Sequence, residues 1–354
     1  MNEGFFASFF AKKEVLALNR RLQALAGTGS SLLITLFGLV LVTFLIGRVM
    51  PIDPIIAIIG DHAPEDVVAR VRVELGLDRP LHVQFGIYVW QLLHGDLGRS
   101  VMTSNTVVED IQRYFPATIE LATVAIVIAT VVGVPLGVLA AVRAGSKLDI
   151  GIRVLCLAGH SIPIFLLALI SLLVFYATLG WAPGMGRADV GFEGMNPVVT
   201  GFLTIDSAWA GDWDAFWDAW AHLAQPAGVL AYFSMAYIAR MTRAFMLDAL
   251  AGEYVITARA KGLSSLRVIW RHAFGNIAVR LVTVLALTYA GLLEGAVVTE
   301  TVFSWPGLGQ YLTVSLLNAD MNAVLGATLV VGLIYMALNL LADAAYRLLD
   351  PRVS

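Results

Sequence analysis

Six stretches of this chain run for 19 to 33 residues without a single Asp, Glu, Lys or Arg: 22–47, 121–142, 154–186, 219–239, 301–319 and 321–342. A seventh, 281–293, is interrupted by Glu294. A helix needs roughly 20 apolar residues to cross about 30 Å of hydrocarbon, so the pattern points to a polytopic membrane protein. With 58% hydrophobic and 14% charged residues, too little charge remains to cover a soluble enzyme, where about 25% is usual. Disorder, collagen and a disulfide scaffold are also excluded. The net charge of −3 gives no sign of nucleic-acid binding. The lone cysteine, Cys156, lies in an apolar run and reads as a small buried residue.

The stretch 301–319 holds Ser304, Trp305, Pro306, Gly307, Gly309, Gln310 and Asn318 and reads as a loop with a short re-entrant or interfacial piece. That leaves six transmembrane helices near 30–50, 116–142, 151–179, 223–247, 277–299 and 323–348. Of 23 Lys and Arg, 16 fall in the first 30 residues, the 143–153 turn, the 240–280 stretch and the tail. The positive-inside rule therefore sets both termini in the cytoplasm, with 1–29 and 349–354 as terminal segments. Residues 51–115 and 180–222 lie outside, and 248–276 lies inside. The first apolar run is too long for a cleaved signal peptide. Phe5, Phe6, Phe9 and Phe10 beside Lys12 and Lys13 fit an interfacial segment or an extended tail.

The outer segment 51–115 predicts a small helical cap. Pro64, Glu65 and Asp66 open one helix that Gly76 closes; Pro80 opens another that ends before Gly95, with Leu81, Phe85, Tyr88 and Leu92 on one stripe. The outer loop 180–222 sets Asp206, Asp212, Asp214 and Asp218 among Trp209, Trp213, Trp217 and Trp220. Trp209, Trp213 and Trp217 recur every four residues, which predicts one indole face. It fits a helix in the headgroup belt or a docking face for a soluble partner.

The inner loop carries Glu253-Tyr254-Val255-Ile256-Thr257-Ala258-Arg259-Ala260-Lys261-Gly262-Leu263-Ser264. It predicts a short helix broken at Gly262, followed by a second helix capped by Ser264 or Ser265 and running through His272. Ala258 and Ala260 make one face small, so that another protein can approach closely; Arg259 and Lys261 make the other basic.

This run resembles the coupling loop, or EAA motif, of permease subunits of binding-protein-dependent ABC importers, closest to their dipeptide and oligopeptide branch. The small pair and glycine of the motif fall on Thr257, Ala258 and Gly262; Ile256 stands at its glutamate and Gly275 at its later proline. Further segments match the same branch in order: Asp53-Pro54, Glu74 to Asp78, His94 to Gly98, Ser161 to Phe165, Glu300 to Gly309 and Leu349 to Arg352. The resemblance covers roughly residue 20 to the end.

It implies an all-α, type I ABC importer permease (MetI-like) fold in the bacterial inner membrane. It also implies a heterodimer with a second homologous permease, two cytoplasmic ATPase subunits that hold ATP and Mg, and an extracytoplasmic peptide-binding protein. The coupling residues would be Glu253, Tyr254, Thr257, Ala258, Arg259, Ala260, Lys261 and Gly262. The expected role is transport of dipeptides or short peptides without covalent chemistry. In agreement, the chain has no phosphate loop, no H-E-x-x-H and no G-x-S-x-G, so it is expected to bind no cofactor or metal and to hold no catalytic residue.

Within the spans, Gly133 and Gly137 predict close helix packing, and Pro163 beside Ser161 predicts a kink. Glu294 is an acid inside a span, which faces a partner or a wet path. It fits a pore contact for a substrate amine, with Ser161 and Pro163 on the same path, or an acid paired with an adjacent helix or near the outer interface. Glu120 fits an interfacial or paired acid. The same machinery could carry longer peptides, glutathione, nickel chelates or sugars. A secondary transporter would show an internal repeat and more buried charges, and an intramembrane hydrolase would show a nucleophile with its base.

Overall fold

The computed structural model describes residues 30–48, 63–74, 76–192 and 194–349. The 1–29 segment, Asp53-Pro54 and the 350–354 end of the tail lie outside them. The described residues are mostly helical, and their only β pairing is one isolated bridge between Arg99 and Thr106. The chain divides into two compact units, 1–95 and 96–354.

The first unit holds α1 (Ser30–Arg48), α2 (Glu65–Glu74) and α3 (Leu81–Leu93). Its helix ends follow the local signals. Pro64 precedes the first turn of α2, and Gly76 beyond its end has φ +65, a conformation that costs glycine little. The Gln84 side chain donates to the Arg79 carbonyl at 2.7 Å and so pins the turn into α3. Phe44 of α1 is buried and packs edge-on against Phe85 at 5.2 Å and beside Tyr88 at 5.7 Å. Two residues of the expected cap stripe therefore meet α1, whereas Leu81 is 59% exposed.

The second unit is built on two long helices, α4 (Val107–Val142) and α8 (Trp213–Leu250). Thr106 caps α4: its hydroxyl accepts the Glu109 N–H while the Glu109 carboxylate accepts the Thr106 N–H. The α4–α8 seam is small-residue packing of Ala117, Ala122, Ala125 and Ala129 against Leu223, Ala227, Leu230 and Ile238. Gly133 and Gly137 lie on it. A Cβ at Gly137 would sit 2.6 Å from both the Ala239 carbonyl oxygen and Thr242 Cβ. Gly137→Leu is expected to cost about 1–3 kcal/mol or more through overpacking, read as a lowered thermal midpoint in detergent. Gly228→Ala, which meets nothing within 4 Å, should leave the midpoint unchanged.

Helices α5 (Lys147–Ser161) and α6 (Ile164–Ser171), the latter continued by a π-helical turn Leu172–Thr178, form one bent pair. The angle between them is 100°, far more than a proline kink. The break falls at Ile162 and Pro163, both extended. Helix α7 (Leu203–Ala210) precedes α8, and α9 (Glu253–Ala260) follows it. Helix α10 (Ser265–Phe303) contains a π turn at Val268–Phe274; α11 (Leu308–Leu317) makes ten residues of the expected 301–319 loop helical, and α12 (Met321–Leu349) follows.

Four of the described helices are long and apolar enough to cross a membrane, α1, α4, α10 and the 321–341 part of α12, or five if the bent pair is one span. The remaining expected span, 223–247, lies within α8. Gln225 and Pro226 interrupt its apolar stretch and His222 stands just before it, and His222 and Pro226 are buried. At 38 residues, α8 is about 57 Å long. It separates the end that bears Trp213 and Trp217 from the end that leads into α9.

Candidate functional site: the α9 knuckle and the loop end

At the far end of α8, Gly252 starts α9, and α9 stops after Ala260. Gly262 has φ +76; its N–H reaches the Arg259 carbonyl, and the Leu263 N–H reaches the Ala258 carbonyl. The chain thus closes the helix by the left-handed turn that glycine favours. Ser264 occupies the next N-cap, but its side chain makes no capping bond. The second helix does not end at His272; it runs on through the π turn as α10.

Val255, Ala258 and Val268 form a small buried core with Leu263 beside it. Ala258 therefore faces inward, under the knuckle, and only Ala260 of the expected small face is exposed. The outward surface is apolar and basic together. Ile256 is 65% exposed and Leu266 71% exposed, with Glu253, Tyr254, Thr257, Arg259 and Lys261 also exposed. An exposed knuckle with one large aliphatic side chain on each arm, Ile256 on α9 and Leu266 on α10, and flanking cations suits protein docking.

At the other end, α10 and α11 are joined through one buried acid. Glu300 has no exposed surface. Its carboxylate accepts the Thr118 hydroxyl at 2.6 Å, the Gly309 N–H at 2.7 Å and the Gln310 N–H at 3.0 Å. The two N–H groups belong to the first turn of α11, where an anion is favoured. A Cβ at Gly307 or Gly309 would collide with this carboxylate. Thr118 also accepts the Leu308 N–H, and the buried Trp305 donates to the Ala117 carbonyl at 3.0 Å. This closure was legible only as a string, Glu300 to Gly309; an acid seven and nine residues before two glycines is the signal that sequence reading left unused.

Residues 133–354 match the family described as binding-protein-dependent transport system inner membrane component, and residues 22–122 match its N-terminal companion. The chain is 41% identical to the dipeptide transport system permease protein DppB of Escherichia coli K12, over 90% of this chain and 95% of that one. It is 40% identical to the probable D,D-dipeptide transport system permease protein DdpB of the same organism, over 91% and 94%. It is 41% identical to the di/tripeptide transport system permease protein DppB of Pseudomonas aeruginosa, over 90% and 95%. The chain is an inner membrane component of a binding-protein-dependent transport system. Among solved structures, the inward-facing methionine ABC transporter MetNI aligns at TM-score 0.48 and 17% identity, over 66% of this chain and 93% of that one.

The other expected site residues of the permease are dispersed. Trp209, Trp213 and Trp217 are all well exposed, but not on one helix. Trp209 belongs to α7, Gly211 turns the chain at φ +75, and Trp213 begins α8. Only Trp213 and Trp217 share a face, on either side of Phe216. Glu294 is exposed in α10 and has no hydrogen-bond or ion-pair partner among the described residues. Ser161 and Pro163 are exposed at the α5–α6 break. Glu120 is paired: Arg187 reaches it at 2.5 Å, and Thr204 donates through both N–H and hydroxyl. Asp149, which sequence reading passed over, is gripped by Arg243 through two bonds of 2.7 and 2.9 Å.

The loop acids are ties between segments. Asp212 caps α8 through the Ala215 N–H. Asp206 is buried and accepts N–H groups from Val199, Thr200 and Gly201 and the Thr200 hydroxyl. Burial pushes its carboxyl up, but the bonds from Thr200, Gly201 and Val199 outweigh burial and hold it below the ordinary 3.8. A lowered folded value means that its contribution is full above the unfolded value and is lost as pH falls through the lower one. The loop is expected to resist proteolysis unchanged down to about pH 4 and to open below that. Asp206→Asn should be more sensitive at neutral pH and should lose much of this acid dependence.

Proposed function

We propose that the chain is the membrane-spanning permease subunit of an ATP-driven ABC importer for dipeptides or short peptides. In this reading α9 and the Gly262 turn dock a cytoplasmic ATPase. The exposed knuckle supports it most: its two arms close over Val255, Ala258 and Val268, while Ile256, Arg259 and Lys261 on the first arm and Leu266 on the second are exposed. Because α10 grows directly from the second arm of the knuckle, a push on α9 would pass into a long helix without a flexible joint. ATP and Mg would reside in two partner subunits, a second permease would complete the path, and a peptide-binding protein would deliver cargo near Trp209, Trp213 and Trp217. Six spans with both termini inside fit the Lys and Arg distribution.

Peptide cargo is favoured because relatives of about 40% identity over nine-tenths of the chain are named for dipeptide and tripeptide transport. The test is uptake of labelled dipeptides into proteoliposomes holding the complete complex with ATP inside. No ATP-dependent uptake of any di- or tripeptide would sink the cargo assignment.

An exposed carboxylate within an apolar helix is costly against lipid, so Glu294 belongs on a wet face, where Ser161 and Pro163 would also lie. Glu294→Gln is expected to slow uptake of peptides with an extra cationic side chain by about tenfold, the equivalent of 1.4 kcal/mol. Neutral dipeptides should change less than threefold. Equal loss for both classes would remove Glu294 from the path.

A further inference from the structure

One cluster on the tryptophan end serves neither the knuckle nor the Glu300 closure. Asp189, Asp218 and His222 each bring a ligand atom within 4.8 Å of the others. His222 lies on α8 with a side chain only 2% exposed, Asp218 is one turn before it, and Asp189 stands on the 180–200 loop with its carboxylate 71% exposed. The His222 Nδ1 is 3.0 Å from the Asp218 carbonyl oxygen. That oxygen can only accept, so Nδ1 carries the proton of this contact. In the neutral ring, Nε2 then carries the lone pair, on a side chain only 2% exposed.

Nε2 faces Asp189 Oδ1 at 3.6 Å, beyond hydrogen-bond reach. Two acceptors aimed at each other repel unless a cation stands between them. No Lys or Arg among the described residues pairs with either aspartate; Arg187, the nearby guanidinium in sequence, is engaged by Glu120. The backbone is already set, since the Asp189 N–H donates to Asp218 Oδ2 at 2.9 Å. A ring nitrogen fixed through its other nitrogen, beside two carboxylates, is the arrangement by which proteins orient a metal-binding imidazole.

We propose that Asp189, Asp218 and His222 form a binding site for a borderline divalent transition metal, of which Zn²⁺ is the probe. The donor set decides the class: one imidazole with carboxylates suits Zn²⁺ and its neighbours, whereas Ca²⁺ and Mg²⁺ take oxygen ligands alone. At 3.6 Å apart, Nε2 and Asp189 Oδ1 can share one ion at about 2.0–2.2 Å from each, and the Asp218 carboxylate, which lies 3.4 Å from Nδ1, would have to turn toward that ion to join it. It would clip the 180–200 loop to α8 beside Trp217. Metal binding itself does not depend on the transport reading.

The test is calorimetric titration of Zn²⁺ into the purified full-length permease, in complex with its partner subunits and stripped with EDTA, at neutral pH. One site per chain is expected, weakened about tenfold or more by Asp189→Asn and by His222→Gln. Asp189 is exposed, so Asp189→Asn should melt as the unaltered chain does in EDTA; this separates a lost ligand from a lost fold. Zn²⁺ should raise the melting point of the unaltered chain alone, and Mg²⁺ should not. Zn²⁺ binding of equal strength in all three proteins would overturn the proposal. So would no Zn²⁺ binding together with stabilisation on acidification, which would make the cluster an imidazolium ion pair.

Discussion

Glu300→Ala is expected to destabilise the permease more than any other single side-chain truncation in the second unit. It leaves the Gly309 and Gln310 N–H groups and the Thr118 hydroxyl without their acceptor in a site with no exposed surface. A buried donor stripped of its partner costs about 1–3 kcal/mol, so the expected loss is about 3–5 kcal/mol. That is a large share of the 5–15 kcal/mol typical of a folded protein. It should be read as a sharply lower melting point in detergent and reduced abundance in the membrane. Glu300→Gln keeps one carbonyl acceptor and should lose less. Thr118→Val should be strongly non-additive with Glu300→Ala, because both break the same network. A melting point for Glu300→Ala equal to that of the unaltered chain would show that the closure of α11 onto α10 does not depend on this carboxylate.

Gly262→Val is the second large effect, and it should appear in assembly, with the chain still in the membrane. At φ +76 a β-branched residue is a steric outlier, so the turn that ends α9 must open and Leu263 must leave its place beside Val255 and Ala258. The purified permease should lose at least about tenfold of its ATPase subunits, equivalent to 1.4 kcal/mol or more of docking energy. Gly262→Asn is the control, because asparagine visits the left-handed region; it should retain most of the assembly. Equal recovery of ATPase subunits with valine and with glycine would separate the turn from docking.

The features legible in the sequence were those set by local chemistry or by solvent. Apolar runs marked most of the long helices, because a charge in hydrocarbon is expensive. Pro64, Gly76, Pro80 and Gly262 marked helix ends because the backbone geometry they impose or permit does not wait for tertiary contacts. Long-range pairing was illegible. Glu300 meets Thr118 from 182 residues away, and Asp149 meets Arg243 from 94; neither spacing leaves a periodic trace. Pro163 announced a bend but not its 100°, since an angle depends on what each arm packs against. The tryptophan period misled because helical spacing assumes an unbroken helix, and Gly211 interrupts it. Ala258 misled in another way: a small residue suits both a tight docking face and a buried contact, and Val268, folded back from α10, takes the second use.

The central claim is that the face of α9 is where an ATPase subunit meets this chain. It is tested most directly by placing a photo-crosslinking amino acid at Ile256, which is 65% exposed, in the intact, ATP-hydrolysing complex. A matched probe at Leu287, exposed on the long α10 helix, serves as the comparison. The expected result is a covalent adduct between position 256 and an ATPase subunit, with none from position 287. An assembled, active complex in which position 256 captures no ATPase subunit would contradict it.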